Sequence, residues 1–362
     1  MKKTFLLCVA SVTVALALIE AGLWLAQMLF PPHSPVLAAL SPALELRGDA
    51  FWMQRFEVFR QKGLVTFGEN QPDPELGWVP RPNQILHNAG KTCSINELGA
   101  RGHAPFIRDP SRFLVLAVGD SFTFGSDADD ADTWPALLEG LDPRIQVLNL
   151  GVSGYGTDQM ALRLERALQI LRPDLVVAAF IEDDLKRSLL GFRDFKKPKF
   201  ACEGEELRLT NTPIGTPDEV HEETTAELAR LPKLKLAIFA HNVALDLVER
   251  LESNRLNGRI FERMMADCSA AGLELMLLYL PYREELTDKG LRTASEQFFV
   301  SFTEAHQVLA VNPRQDFLAH TGATFVKVHY QRKEATIVAQ AVHRSIAKSR
   351  LFTTFLDRRQ GS

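Results

Sequence analysis

Phe113-Leu114-Val115-Leu116-Ala117-Val118 is an unbroken apolar run that leads straight into Gly119-Asp120-Ser121-Phe122-Thr123. A run of that length closed by a glycine reads as a strand buried on both faces, as strands of parallel sheets are. Gln146-Val147-Leu148-Asn149-Leu150, Asp174 to Ile181, Leu273 to Leu280 and Val308 to Val311 repeat the pattern downstream. Between the second and third runs, residues 157 to 171 place Met160, Leu164, Ala167, Leu168 and Leu171 on one helical face. Val338, Ala341, Val342 and Ile346 mark a matching stripe in a closing helix over residues 333 to 350. This alternation predicts βαβ units and a mostly parallel α/β sheet.

Outside that alternation the chain changes character. Residues 186 to 257 are charged and proline-containing and then helical, which predicts an insertion folded over one end of the sheet. Residues 32 to 111 are rich in Pro, Gly and polar side chains and read as a linker and presenting segment, with a short helix over 51 to 61. The expected organisation is therefore an N-terminal segment to residue 31, the linker to 111, and a main domain over 112 to 355.

Met1-Lys2-Lys3 precedes a 27-residue stretch, Thr4 to Phe30, whose apolar character is interrupted by Glu20 and Gln27. As a helix it reaches about 40 Å, more than the roughly 30 Å hydrocarbon core of a bilayer. Glu20 falls about 24 Å beyond Thr4, near the far interface, where a carboxylate is tolerated. Lysines at the start favour an N-terminus inside, so the reading is a single-pass anchor in a bacterial inner membrane with the bulk of the chain periplasmic. The alternative is secretion after cleavage at Ala15-Leu16-Ala17, which would leave Leu18 to Phe30 as an apolar new terminus.

With 41 Lys+Arg against 45 Asp+Glu, the net charge of -4 offers no footprint for a polyanion, so nucleic acid is not an expected partner. Apolar residues at 46% and charged residues at 24% exclude wholesale disorder and a small disulfide scaffold. Cys8, Cys93, Cys202 and Cys268 show no CxxC spacing, which argues against a zinc knuckle or a dithiol redox pair. In an exported chain Cys93, Cys202 and Cys268 could include one disulfide, leaving an odd cysteine, and the sequence does not choose the pair.

Ser121 follows the carboxyl end of the first strand, where parallel sheets place their ligands. A serine hydroxyl becomes a nucleophile only when a base takes its proton. His329, in Val326-Lys327-Val328-His329-Tyr330 ahead of the closing helix, is the candidate base because its chain position returns it to the same sheet edge. After the second strand, Gly151-Val152-Ser153-Gly154-Tyr155-Gly156 offers backbone N–H groups suited to an oxyanion, or simply a tight turn. After the third, Glu182-Asp183-Asp184 is either a solvated strand terminus or a carboxylate cluster for a divalent cation.

In this order the motifs resemble the SGNH/GDSL hydrolase family over roughly residues 112 to 350. Gly119-Asp120-Ser121 looks like its nucleophile block, Gly154 like its oxyanion-hole glycine, and His329 like its catalytic histidine. Asp183-Asp184 stands where the family has Asn-Asp. Glu75-Leu76-Gly77-Trp78 and Ile95-Asn96-Glu97-Leu98-Gly99-Ala100-Arg101-Gly102 are similar to the lead-in of membrane-anchored bacterial members. The resemblance implies a three-layer sandwich around a flavodoxin-like sheet, a Ser121–His329 centre, and an oxyanion hole from Ser121, Gly154 and the residue at 183. It implies no metal or organic cofactor.

Two positions depart from the family. Asp183 replaces an asparagine, and an ionised carboxylate accepts hydrogen bonds where an oxyanion needs donors. Either it is held protonated or it turns away, leaving the two backbone N–H groups. The acid that should precede the histidine by two or three residues is absent, because those positions are Val326 and Lys327; a backbone carbonyl or an acid such as Asp316 is left to orient His329. The expected activity is cleavage of acyl or O-acetyl esters of envelope glycans or lipids through an acyl-enzyme. The alternatives are a polysaccharide O-acyltransferase and a non-catalytic glycan-binding or envelope-assembly protein. Oligomeric state is not legible.

Overall fold

The computed structural model describes residues 2–29, 44–63, 67–88, 90–287, 292–320 and 328–360. The chain divides into two compact units: Met1–Val65 with Asp218–Leu251, and Thr66–Pro217 with Glu252–Ser362.

The second unit is built on five strands, β1 (Phe113–Gly119), β2 (Ile145–Asn149), β3 (Leu175–Phe180), β4 (Glu274–Tyr279) and β5 (Leu309–Val311). All neighbours are parallel and the spatial order is β2-β1-β3-β4-β5, a flavodoxin-like arrangement. The chain starts inside the sheet, steps to one edge and then grows toward the other. The reversal falls between β1 and β3, so a crevice opens outside their carboxyl ends.

Every residue of β1 and β3 is buried because helices cover both faces. Val115, Ala117, Val177 and Leu278 pack with Trp134 and Leu138 on one side, and Val338, Val342 and Ile346 belong to the same cluster. From the other face Phe180 meets Phe261 and Phe299. Each such side chain contributes about 1.5–3 kcal/mol of burial energy. The helices that matter for the site are α1 (Ser121–Phe124), α2 (Trp134–Leu141), α3 (Thr157–Ile170), α4 (Glu182–Arg187), α5 (Ala294–His306) and α6 (Arg332–Ile346). The closing helix, expected to run to residue 350, breaks after Ile346, and a further helix covers Arg350–Gln360. Ser349 at the break donates its hydroxyl to Glu274 (2.7 Å), tying the turn to β4.

The edge strand β2 does not leave its outer groups bare. The Val147 N–H donates to Glu139 (2.9 Å), the Asn149 carbonyl accepts the Arg101 N–H (2.8 Å), and the Ile145 carbonyl accepts the Arg112 guanidinium. Residues between 66 and 111 fold as two antiparallel hairpins, Asn70–Asp73 with Gly77–Pro80 and Gln84–Asn88 with Lys91–Ile95. The 186–257 stretch supplies two more hairpins, the helix Pro217–Arg230, and the first part of a 36-residue helix, Lys235–Ala270, that continues past the expected end of the insertion. Cys93, Cys202 and Cys268 are free thiols, on a hairpin strand, a second hairpin strand and the long helix. Burial pushes the Cys93 thiol up to about 11 and the Cys268 thiol up to about 12.

Asp142, between α2 and β2, is a buried carboxylate with charged partners. Arg144 donates to it through its side chain (2.7 and 2.9 Å) and backbone N–H, and His343 of α6 lies 3.2 Å away. The Arg144 hydrogen bonds hold its pKa well below the usual carboxylate range despite burial. A depressed folded-state pKa stabilises the fold above the unfolded value near 3.9 and loses that contribution as pH falls. Because Arg144 is half exposed, solvent screening trims the effect to about 1–2 kcal/mol. Asp142→Asn should therefore lower the melting temperature at pH 7, and the gap to wild type should shrink steadily from about pH 4 toward pH 2. A gap that is constant with pH would show that the carboxylate charge contributes nothing.

In the first unit the helix Lys2–Leu29 contains an 18-residue span, Val9–Ala26, of mean hydropathy 1.9, long and apolar enough to cross a membrane or to serve as a signal sequence. Glu20 inside it is not isolated. It accepts the Lys235 and Leu236 N–H groups (2.7 and 2.9 Å) at the start of Lys235–Ala270 and the Trp24 indole N–H (2.9 Å). Leu46, Ala50 and Ile238 form a small buried cluster beside the helix Asp49–Gln61, which begins two residues before its expected start.

Candidate active site

β1 delivers Ser121 to the crevice with little freedom. A Cβ on Gly119 would lie 2.7 Å from the Ala179 carbonyl of β3 and collide with Thr123, so only glycine lets the turn close against the neighbouring strand. Asp120 then caps α1, its Oδ1 accepting the Phe122 N–H (2.9 Å). Ser121 is the first helical residue and is 8% exposed, enough for its Oγ to reach the crevice.

His329 comes to that hydroxyl from 208 residues away, with Nε2 3.0 Å from Ser121 Oγ. The Phe122 ring packs edge-to-face on the imidazole and on Tyr330, with centroids 5.2 and 4.8 Å away, an aromatic wall that restrains the tilt of the imidazole. Nδ1 lies 2.8 Å from Oδ2 of Asp127. Since a carboxylate only accepts, Nδ1 carries the proton and Nε2 keeps the lone pair that accepts the serine hydroxyl. The orienting acid therefore comes from the loop after α1 and not from residues near the histidine. The expectation of Asp316 is corrected: its carboxylate pairs with Arg344 (2.7 Å) and its carbonyl meets His320. Val326 and Lys327 lie outside the described residues.

Behind the serine sits a buried charge cluster. Asp120 and Asp184 are both fully buried and share the Arg187 guanidinium, at 3.4 and 2.5 Å. Burial, followed by the charge of Asp120, pushes the Asp184 carboxyl well above its ordinary value. Burial opposes the charge on Arg187, but the two acids outweigh it and move its pKa up. Asp120 Oδ2 also stands 3.3 Å from Ser121 Oγ, farther than the imidazole.

Gly154 has φ +84, a left-handed conformation that strains any residue with a side chain, and it packs against the Arg193 guanidinium. The turn is fixed by Trp78, whose indole N–H donates to the Ser153 carbonyl (3.0 Å), and by Tyr155, whose hydroxyl donates to the Trp78 carbonyl (2.6 Å). Among the described residues neither the Ser121 nor the Gly154 N–H has an acceptor in the protein.

Asp183 Oδ2 accepts the Tyr282 hydroxyl (3.0 Å) and lies 3.9 Å from Arg187. The other two acids of the cluster are also engaged, Glu182 with Lys186 (2.8 Å) and Asp184 with Arg187 and the Ile181 N–H. Among the described residues no group of three His, Cys, Asp or Glu is arranged to hold a metal. A cleft of about 1080 Å³ lies beside α2 and β2, lined in part by Arg101, Phe106, Glu139 and Arg332, and neither Ser121 nor His329 lines it.

The crevice of a flavodoxin-like sheet thus holds a serine, an imidazole and a carboxylate in hydrogen-bonded series beside two backbone N–H groups. The chain is similar to several solved structures. TesA is matched at a TM-score of 0.40 and 16% identity, over 65% of this chain and 98% of that one. A member of the lipolytic G-D-S-L family from Veillonella parvula is matched at 0.39 and 10%, over 65% and 99%. A catalytic mutant of Axe2, an acetylxylan esterase from Geobacillus stearothermophilus, is matched at 0.39 and 15%, over 66% and 96%. No family model and no curated protein matches the sequence.

Proposed function

We propose that this chain is an exported, membrane-anchored serine hydrolase that cleaves acyl or O-acetyl esters, with envelope glycans or lipids as its substrate class. The observation that carries the reading is the series Ser121 Oγ to His329 Nε2 (3.0 Å) and His329 Nδ1 to Asp127 Oδ2 (2.8 Å). Ser121 attacks the ester carbonyl as its proton passes to Nε2, and the imidazolium that forms is stabilised by Asp127. The oxyanion is held by the Ser121 and Gly154 N–H groups. The imidazolium returns its proton to the departing alkoxide, and water, activated by the same imidazole, releases the acid. None of these steps requires a group beyond the chain's own residues. Labelling by a fluorophosphonate, present in wild type and lost in Ser121→Ala, tests the assignment.

The position of Asp183 carries a separate expectation. An asparagine there still accepts the Tyr282 hydroxyl through its amide oxygen. Asp183→Asn should therefore leave turnover of p-nitrophenyl acetate within about threefold of wild type, well short of the roughly 10²–10³ that an oxyanion donor typically commands. A gain of tenfold or more would put this side chain at the oxyanion after all.

A further inference from the structure

The loop that carries Asp127 is held from outside the sheet, and the residues that hold it belong to the hairpin segment before β1. Arg101 is buried, with 2% of its side chain exposed, and all five of its side-chain donors are used. Nε donates to Asp130 Oδ1 (2.7 Å), one terminal nitrogen to the Phe124 and Gly125 carbonyls (3.4 and 3.2 Å), and the other to the Ala128 and Thr92 carbonyls (2.9 and 3.1 Å). Three of those carbonyls and Asp130 bracket Asp127 on both sides. The hairpin backbone adds the Thr92 N–H to Asp129 (3.2 Å) and the Ser94 N–H to Asp130 (3.0 Å).

Lys91 completes the arrangement. Its ammonium donates to the carbonyl of Asp127 itself and to the side-chain oxygen of Gln331 (3.0 Å), while the Gln331 amide donates to the His329 carbonyl (3.3 Å). One cation thus bridges the acid's backbone and the histidine's.

We propose that Arg101 and Lys91 are positioning residues for catalysis, setting Asp127 against His329. The inference rests on the hydrolase reading above. A half-exposed carboxylate on a loop has no packing of its own to fix it. Its reach to Nδ1 is then set by the backbone, and misplacement of about 1 Å in such a relay costs on the order of 10²-fold. Lysine cannot replace Arg101, because it has three donors where the guanidinium has five in a planar fork.

The test uses the full chain in detergent, p-nitrophenyl acetate as substrate, and fluorophosphonate titration to count active sites. Arg101→Lys should lower kcat per active site about 10-fold or more and Lys91→Met about 3–10-fold, each with KM within twofold. The decisive arm repeats both in an Asp127→Asn background, where each should cost less than twofold because its object is gone. Multiplicative losses in both backgrounds would overturn the proposal and assign the two residues to folding alone. Lys91 is partly exposed, so its cycle decides the matter even if Arg101→Lys does not fold. If wild type does not turn over the ester, the labelling rate of Ser121 supplies the same cycle. Absence of labelling would instead sink the hydrolase reading itself.

Discussion

Ser121→Ala should abolish fluorophosphonate labelling and lower esterase turnover by about 10⁴-fold or more. The hydroxyl is the only atom removed, and it is the one 3.0 Å from the imidazole. Its loss should hardly touch stability. Ser121 opens a one-turn helix whose cap is the carboxylate of Asp120, and that cap is untouched. Ser126 and Ser153 are the controls, since their hydroxyls, 2.7 Å apart, bond to one another. Alanine at either should retain labelling. Labelling of wild type that persists in Ser121→Ala would move the nucleophile elsewhere.

Asp127→Asn should lower kcat about 10²–10³-fold with little change in KM. In a serine protease the same exchange costs about 10⁴, by favouring the wrong imidazole tautomer. Here the acid is half exposed, so water screens its charge and can partly replace it, which trims the loss. Asp316→Asn, the alternative that sequence offers, should stay within twofold because that carboxylate serves Arg344. A fall of less than threefold in Asp127→Asn would remove the acid from the relay.

Why Asp316 and not Asp127 suggests itself is a matter of distance along the chain. The five strands are legible because burial on both faces demands uninterrupted apolar runs, and the carboxyl ends of those runs carry Ser121 and Gly154. His329 is legible from its place ahead of an amphipathic helix. Asp127 sits 202 residues from its histidine in a loop holding Asp127, Asp129, Asp130 and Asp132. Nothing in that spacing says which acid faces inward; the choice is made by Arg101 and the hairpin, which claim Asp129 and Asp130 for themselves. The pairing of the Asp183 carboxylate with Tyr282, from beyond β4, is likewise announced by no spacing in the chain. The hairpins before β1 read as linker because short polar strands have no periodicity to betray them. The long helix past residue 257 is hidden by joining charged and apolar stretches in one element.

The outer margin of β2 has a consequence for how this protein behaves among its own copies. Exposed strand margins template growth, since a neighbouring extended chain finds a ready row of donors and acceptors. Here the Glu139 carboxylate, the Arg101 backbone N–H and the Arg112 guanidinium already occupy three of those sites, so an incoming segment would have to displace them before gaining its first bond. Fibrillar stacking and strand exchange are disfavoured along that side even where the molecule is concentrated.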